Sequence, residues 1–76
     1  MMLNLKIKEI MREKNLTQKM MLEKMELKQP RLSMMLSGKE LKNISLRTAL
    51  DFCKGLDIDI YELIEGTEYD EENTDL

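Results

Sequence analysis

The sequence predicts an all-α domain built from five short helices, and three observations carry that expectation. Proline and glycine are scarce, with one Pro and three Gly in 76 residues. Leu, Met, Lys and Glu dominate while β-branched residues are few, so intrinsic propensity favours helix almost throughout. No segment alternates apolar and polar residues with the period of two that marks a half-buried strand. A chain of this length sits near the size at which one core suffices without staples, so a single domain with local connections is expected.

Leu3, Ile7, Ile10 and Met11 recur at spacings of three and four, which predicts a first helix from Leu3 to Lys14 closed by Asn15 in a left-handed conformation. Thr17 is a good N-cap, and Leu16 with Met21 is placed as a hydrophobic staple, so a short second helix should run to about Met25. The stretch "KQPRLSMMLS" starts a third helix at Lys28 or Gln29. Pro30 is tolerated in a first turn, where its missing N–H had no helical partner and its fixed φ suits the helix. Leu32, Met35 and Leu36 share one face, and Gly38 can take the left-handed cap after Ser37.

Ser45 caps a fourth helix over Leu46–Leu56, with Leu46, Ala49, Leu50, Cys53 and Leu56 expected inward and Phe52 beside them. Asp59 and Glu62 make a capping box, and Ile58 with Leu63 completes a staple, so a short fifth helix covers Ile60–Ile64 before Gly66. The domain is thus expected over residues 1–66. Residues 67–76, "TEYDEENTDL", form an acidic tail expected to be disordered. That tail is either a solvated terminus or an arm that competes with a phosphate backbone for basic residues.

Composition narrows the function. Cys53 is the only cysteine and there is no histidine, which removes an internal disulfide, a Cys/His metal cluster and a His-dependent triad. No cofactor and no enzymatic activity are expected, and a reducing, cytoplasmic setting fits best. "MMLNLKIKEIM" carries lysines within its apolar pattern and reads as neither a signal peptide nor a membrane span. The net charge of -3 hides a division: residues 1–47 hold eleven Lys/Arg against five Asp/Glu, whereas residues 48–76 hold one lysine against ten acids. The first part can face a polyanion and the second cannot, although two differently solvated faces would show the same asymmetry.

The order "LTQKMMLEKMELKQPRLSMMLSGK" followed by "ISLRTALDFCKGLDIDIYELI" resembles the lambda-repressor-like (Xre/Cro-type) helix-turn-helix DNA-binding domains over about Leu5 to Ile64. The matching features are Ile7-Lys8-Glu9-Ile10, Leu16-Thr17-Gln18, Leu32-Ser33 and Gly38-Lys39. The resemblance implies that the second and third helices form the helix-turn-helix and that the third enters the major groove. Its outward stripe then holds Gln29, Pro30, Ser33 and Met34 with Arg31 at the edge, the base-reading candidates. Gln29 suits the N6 and N7 of an adenine, Arg31 a guanine or a phosphate, and Ser33 either a base or a phosphate. Met34 is as well suited to fill core as to lie against a thymine methyl. Gln18 matches the family's backbone-contacting glutamine, which often braces the first glutamine of the third helix. Thr17, Gln18, Lys28, Lys39 and Lys42 are the phosphate candidates. Tyr61 and Ile64 belong either to the core or to a two-fold dimer contact.

Four positions depart from the family's pattern. Leu22 replaces a small alanine where the two helices cross, which implies packing further apart or at a shifted angle, and Glu26 replaces the turn glycine, which implies either a left-handed conformation at a cost of about 1 kcal/mol or more or an altered turn. Met11 and Leu36 replace an arginine and a glutamate that pair in a partly buried salt bridge; because both partners are apolar, they are expected to pack together. The function implied is a sequence-specific DNA-binding transcriptional regulator of the small phage-repressor type, a homodimer on double-stranded DNA. The alternative is a protein-interaction module on the same fold, such as an antitoxin, supported by eight methionines and the acidic second half.

Overall fold

The computed structural model describes residues 1–39 and 44–70, so Lys42 and the last six residues of the acidic tail lie outside the described residues. Five α-helices are present among them and no strand: α1 Leu3–Glu13, α2 Gln18–Leu22, α3 Gln29–Leu36, α4 Leu46–Leu56 and α5 Ile60–Ile64. Helices α2, α4 and α5 start where short side chains satisfy unpaired N–H groups. Thr17 Oγ1 accepts from Met20 N (3.1 Å), Ser45 Oγ from Thr48 N (3.1 Å) and Asp59 Oδ1 from Glu62 N (2.8 Å).

Three of the five helices end in the same way. After α1, Leu16 N donates to Met11 O (2.8 Å) and Asn15 N to Arg12 O (3.2 Å), with Asn15 at φ 56°. After α3, Lys39 N donates to Met34 O (3.3 Å) and Gly38 N to Met35 O (3.0 Å), with Gly38 at φ 97°. After α4, Ile58 N donates to Cys53 O (3.0 Å) and Asp57 N to Lys54 O (3.3 Å), with Asp57 at φ 57°. Each is a Schellman motif with a left-handed residue just past the helix. Asp57 carries the steric cost of a left-handed Cβ. Lys14 Nζ reinforces that helix end by donating to Leu56 O and Asp57 O, both at 2.9 Å, which places a cation at the negative end of α4.

The core comprises Leu3, Ile7 and Ile10 of α1, Met21 of α2, Met25 of the connection after it, Leu32, Met35 and Leu36 of α3, Ala49, Phe52, Cys53 and Leu56 of α4, and Leu63 of α5. Helix α1 packs on α3 and α5, α2 on α3 and α4, and α4 on α5. Two expectations about these helices are corrected. Helix α2 ends at Leu22 instead of reaching Met25; a hydrogen-bonded turn, with Met25 N on Met21 O at 3.1 Å, carries the chain on. On α4, Leu46 and Leu50 face solvent at 69% and 45% exposure, whereas Phe52 is fully buried. The buried arc is rotated by roughly one residue, about 100°, because Asp51 and Gly55 are also turned inward. Gly55 explains part of this: a Cβ there would meet Met25 Sδ at 2.6 Å and Met25 Cγ at 2.7 Å, so the methionine after α2 seats on bare α4 backbone.

Residues 67–70, grouped by composition with the acidic tail, pack against the domain. Thr67 is fully buried, Glu68 Oε1 accepts from Leu3 N (3.2 Å), and Asp70 Oδ2 accepts from Gly66 N (2.7 Å). A carboxylate at Glu68 thus satisfies one of the unpaired N–H groups at the start of α1, from the far end of the sequence. No helix among the described residues is long and apolar enough to cross a membrane.

Candidate nucleic-acid interface

Helix α2 hands the chain to α3 through residues 23–28, and the turn is held from outside. Asp51 of α4 accepts from Glu26 N through Oδ1 (2.8 Å) and from Leu27 N through Oδ2 (3.0 Å). The Asp51 side chain is buried, and each carboxylate oxygen receives a main-chain N–H. Glu26 therefore needs no left-handed conformation; the only non-glycine residues with positive φ among those described are Asn15 and Asp57. The Glu26 side chain points to solvent and pairs loosely with Arg47 (3.6 Å), an exposed pair that adds little.

Held this way, α3 turns Leu32, Met35 and Leu36 into the core at 4% exposure or less and leaves the candidate reading residues outside. Gln29, Pro30, Arg31 and Met34 are exposed and Ser33 is half-buried. Met34, at 39% exposure, is surface and not core filler. Leu22, at the position where a small residue was expected, is half-buried against the core. Met11 and Leu36 line one cleft with Lys8, Gln18, Ser33 and Ser37, and Met11 packs half-buried against the core that includes Leu36.

The polar residues are linked. Gln29 Nε2 donates to Ser33 Oγ (3.1 Å), and Ser33 Oγ donates to Gln18 Oε1 (2.9 Å). The serine thus stands between the two glutamines that the resemblance would pair directly. Around this chain lie Lys19, which shares a cleft with Gln18, Leu22, Glu23 and Gln29, and Lys8, which shares the neighbouring one with Ser33 and Ser37. Neither lysine was among the phosphate candidates; the signal that pointed to them was only the excess of basic residues before residue 48. Of the candidates named there, Thr17, Lys28 and Lys39 are exposed, and the Thr17 oxygen already serves as the α2 cap. Arg31 lines a third cleft with Glu26, Leu27, Ser45, Arg47, Thr48 and Asp51, between α3 and the start of α4.

Away from this face, Tyr61 is 78% exposed and Ile64 is half-buried, so Tyr61 does not belong to the core. Cys53 is buried, and burial first, with Asp59 and Glu62 adding their negative charge, raises its pKa above the ordinary 9.0. A thiol in that setting stays protonated and is a poor nucleophile. Among the described residues, no group of three His, Cys, Asp or Glu is placed to hold a metal.

Two short helices joined by a clamped turn, the second presenting its N-terminal half outward while its other face is anchored in the core, form a helix-turn-helix of the kind that docks on DNA. A family model for the Cro/C1-type HTH DNA-binding domain matches residues 6–68, and the chain belongs to that family. Its fold is lambda-repressor-like, with α2 and α3 as the helix-turn-helix, and it is a DNA-binding regulatory domain. Comparisons with curated proteins and with solved structures gave no significant match.

Proposed function

We propose that this protein is a sequence-specific transcriptional regulator that binds as a homodimer to a two-fold operator, with α3 of each protomer in the major groove. The observation that carries this reading is the outward stripe of α3, where Gln29, Arg31 and Met34 are exposed over a fully buried anchoring face. A groove admits one helix, and base edges there offer hydrogen-bond partners to an amide and a guanidinium and a methyl to an apolar side chain. Lys28 and Lys39 flank the two ends of α3, and Thr17 and Gln18 open α2, positions from which phosphate contacts fix register. One α3 reads only a half-site, so a dimer supplies both affinity and length of readout. Occupancy of the operator then blocks or redirects polymerase.

Selection from random DNA should return a site with two-fold symmetry. The log of its affinity should fall steeply with log salt, by close to one unit of slope per phosphate neutralised. A flat salt dependence, or no preferred sequence, would sink the reading. A protein-interaction role such as an antitoxin draws support from the apolar residues left outside, Leu46, Leu50 and Tyr61. A stable heteromeric complex whose formation survives Arg31→Ala would favour it.

A further inference from the structure

The hydrogen-bond chain through Gln18, Ser33 and Gln29 has a direction. A serine hydroxyl has one proton, and here that proton goes to Gln18 Oε1 at 2.9 Å. What Ser33 offers to Gln29 is therefore a lone pair, and Gln29 meets it with Nε2 at 3.1 Å. With Gln18 Oε1 turned to Ser33, the reverse orientation of the Gln29 amide alone would set a carbonyl oxygen against a hydroxyl with no proton left to give. We infer that Ser33 is a positioning residue, a one-way relay that fixes the orientation of the Gln29 amide and thereby sets base specificity without itself touching a base. This rests on the reading of α3 as the groove-entering helix.

Donor and acceptor inventories give the relay its consequences. With one N–H committed to Ser33, the exposed Gln29 keeps its carbonyl oxygen and its second N–H for a partner. That pair complements a base edge carrying a donor next to an acceptor, which in the major groove is the N6 and N7 edge of adenine. Gln18, whose oxygen is occupied, keeps both amide protons for an anion, so it is polarised toward a phosphate. Ser33 itself retains only acceptor capacity, which unfits it to donate to a phosphate. Ser33 is half-buried while Gln29 is exposed, as a support behind a reading group should be.

The test compares wild type with Ser33→Ala and Ser33→Thr by two measurements, one of which needs no DNA. Nuclear spin relaxation of the Gln29 side-chain amide in the free protein should show an ordered group in wild type and in Ser33→Thr, and a mobile one in Ser33→Ala. On the selected site, Ser33→Ala should lose about tenfold or more in discrimination at the base pair facing Gln29, with the salt slope unchanged and Ser33→Thr restoring the discrimination. A Gln29 amide as ordered in Ser33→Ala as in wild type, or unchanged discrimination, overturns the relay. An ordered wild-type amide that loosens in Ser33→Ala, in a protein that selects no sequence, supports the relay and overturns the groove reading instead.

Discussion

Asp51 carries more of the structure than its place in the middle of α4 suggests. It replaces, from 24 and 25 residues away, the local solution of a glycine in the turn between α2 and α3. Charge-assisted bonds to main-chain N–H groups are individually strong, and losing the acceptor also leaves two donors with no partner in a partly buried turn. Asp51→Ala should therefore destabilise the domain by about 2–4 kcal/mol in denaturant unfolding, and operator affinity should fall further than the fraction unfolded accounts for. Cys53 gives a second residue-scale expectation. Its folded pKa lies above the unfolded value of 9.0, so its contribution to stability is intact below that pH and is lost as pH rises through the folded value. Alkylation of the native protein at pH 8 should be far slower than that of the denatured chain, and Cys53→Ser should remove this part of the alkaline loss of stability.

The helices show where sequence is sufficient and where it is not. Capping is local chemistry, so Thr17, Ser45, Asp59, Asn15 and Gly38 could each be read within a few residues of the turn they make. The Asp51 clamp is invisible to such a window, because nothing near Glu26 announces an acceptor on another helix. For α4, the apolar spacing was compatible with two overlapping arcs, and the choice between them depended on an aspartate and a glycine that a hydrophobic pattern ignores. The stripe that exposes Gln29 and Met34 was legible because Leu32, Met35 and Leu36 define its opposite, whereas the bond from Ser33 to Gln18 requires knowing how α2 lies on α3.

At this scale Gly55→Ala is informative. Helix propensity alone would gain about 1 kcal/mol. The added methyl would lie 2.6 Å from Met25 Sδ, however, so α2 and α4 must separate or Met25 must move. Overpacking of about 1–3 kcal/mol then outweighs the propensity gain. Thermal melting should show a net loss for Gly55→Ala, and trimming the partner with Met25→Ala should recover part of it in a double-mutant cycle.

Over the whole molecule, charge and apolar surface divide the labour. Residues before 48 hold nearly all the basic side chains, including those around the helix-turn-helix, while ten of the fifteen acids lie in the second part of the chain, where α5 and residues 67–70 fold back onto the start of α1. The exposed Leu46, Leu50 and Tyr61 are available to a second protomer. Leu50→Glu and Tyr61→Glu replace exposed side chains and should leave helix content and melting nearly unchanged. If these side chains form the proposed dimer contact, each substitution should keep the protein monomeric in sedimentation at concentrations where wild type associates, with at least about tenfold weaker binding to a full operator and little change on a half-site.

The clamp on the turn also bears on how such a domain can change over time. A glycine turn travels with its own segment, so a reading unit built on one can be exchanged between scaffolds as a block. Here residues 18–36 depend on a carboxylate that the block does not contain. Transplanted alone, the segment would arrive with two stranded N–H groups, and in its own lineage Asp51 would resist replacement unless the turn changed first. Exchange of the motif between scaffolds therefore requires an acceptor at the equivalent place on the receiving α4, whereas single substitutions on the exposed face of α3 leave the clamp untouched.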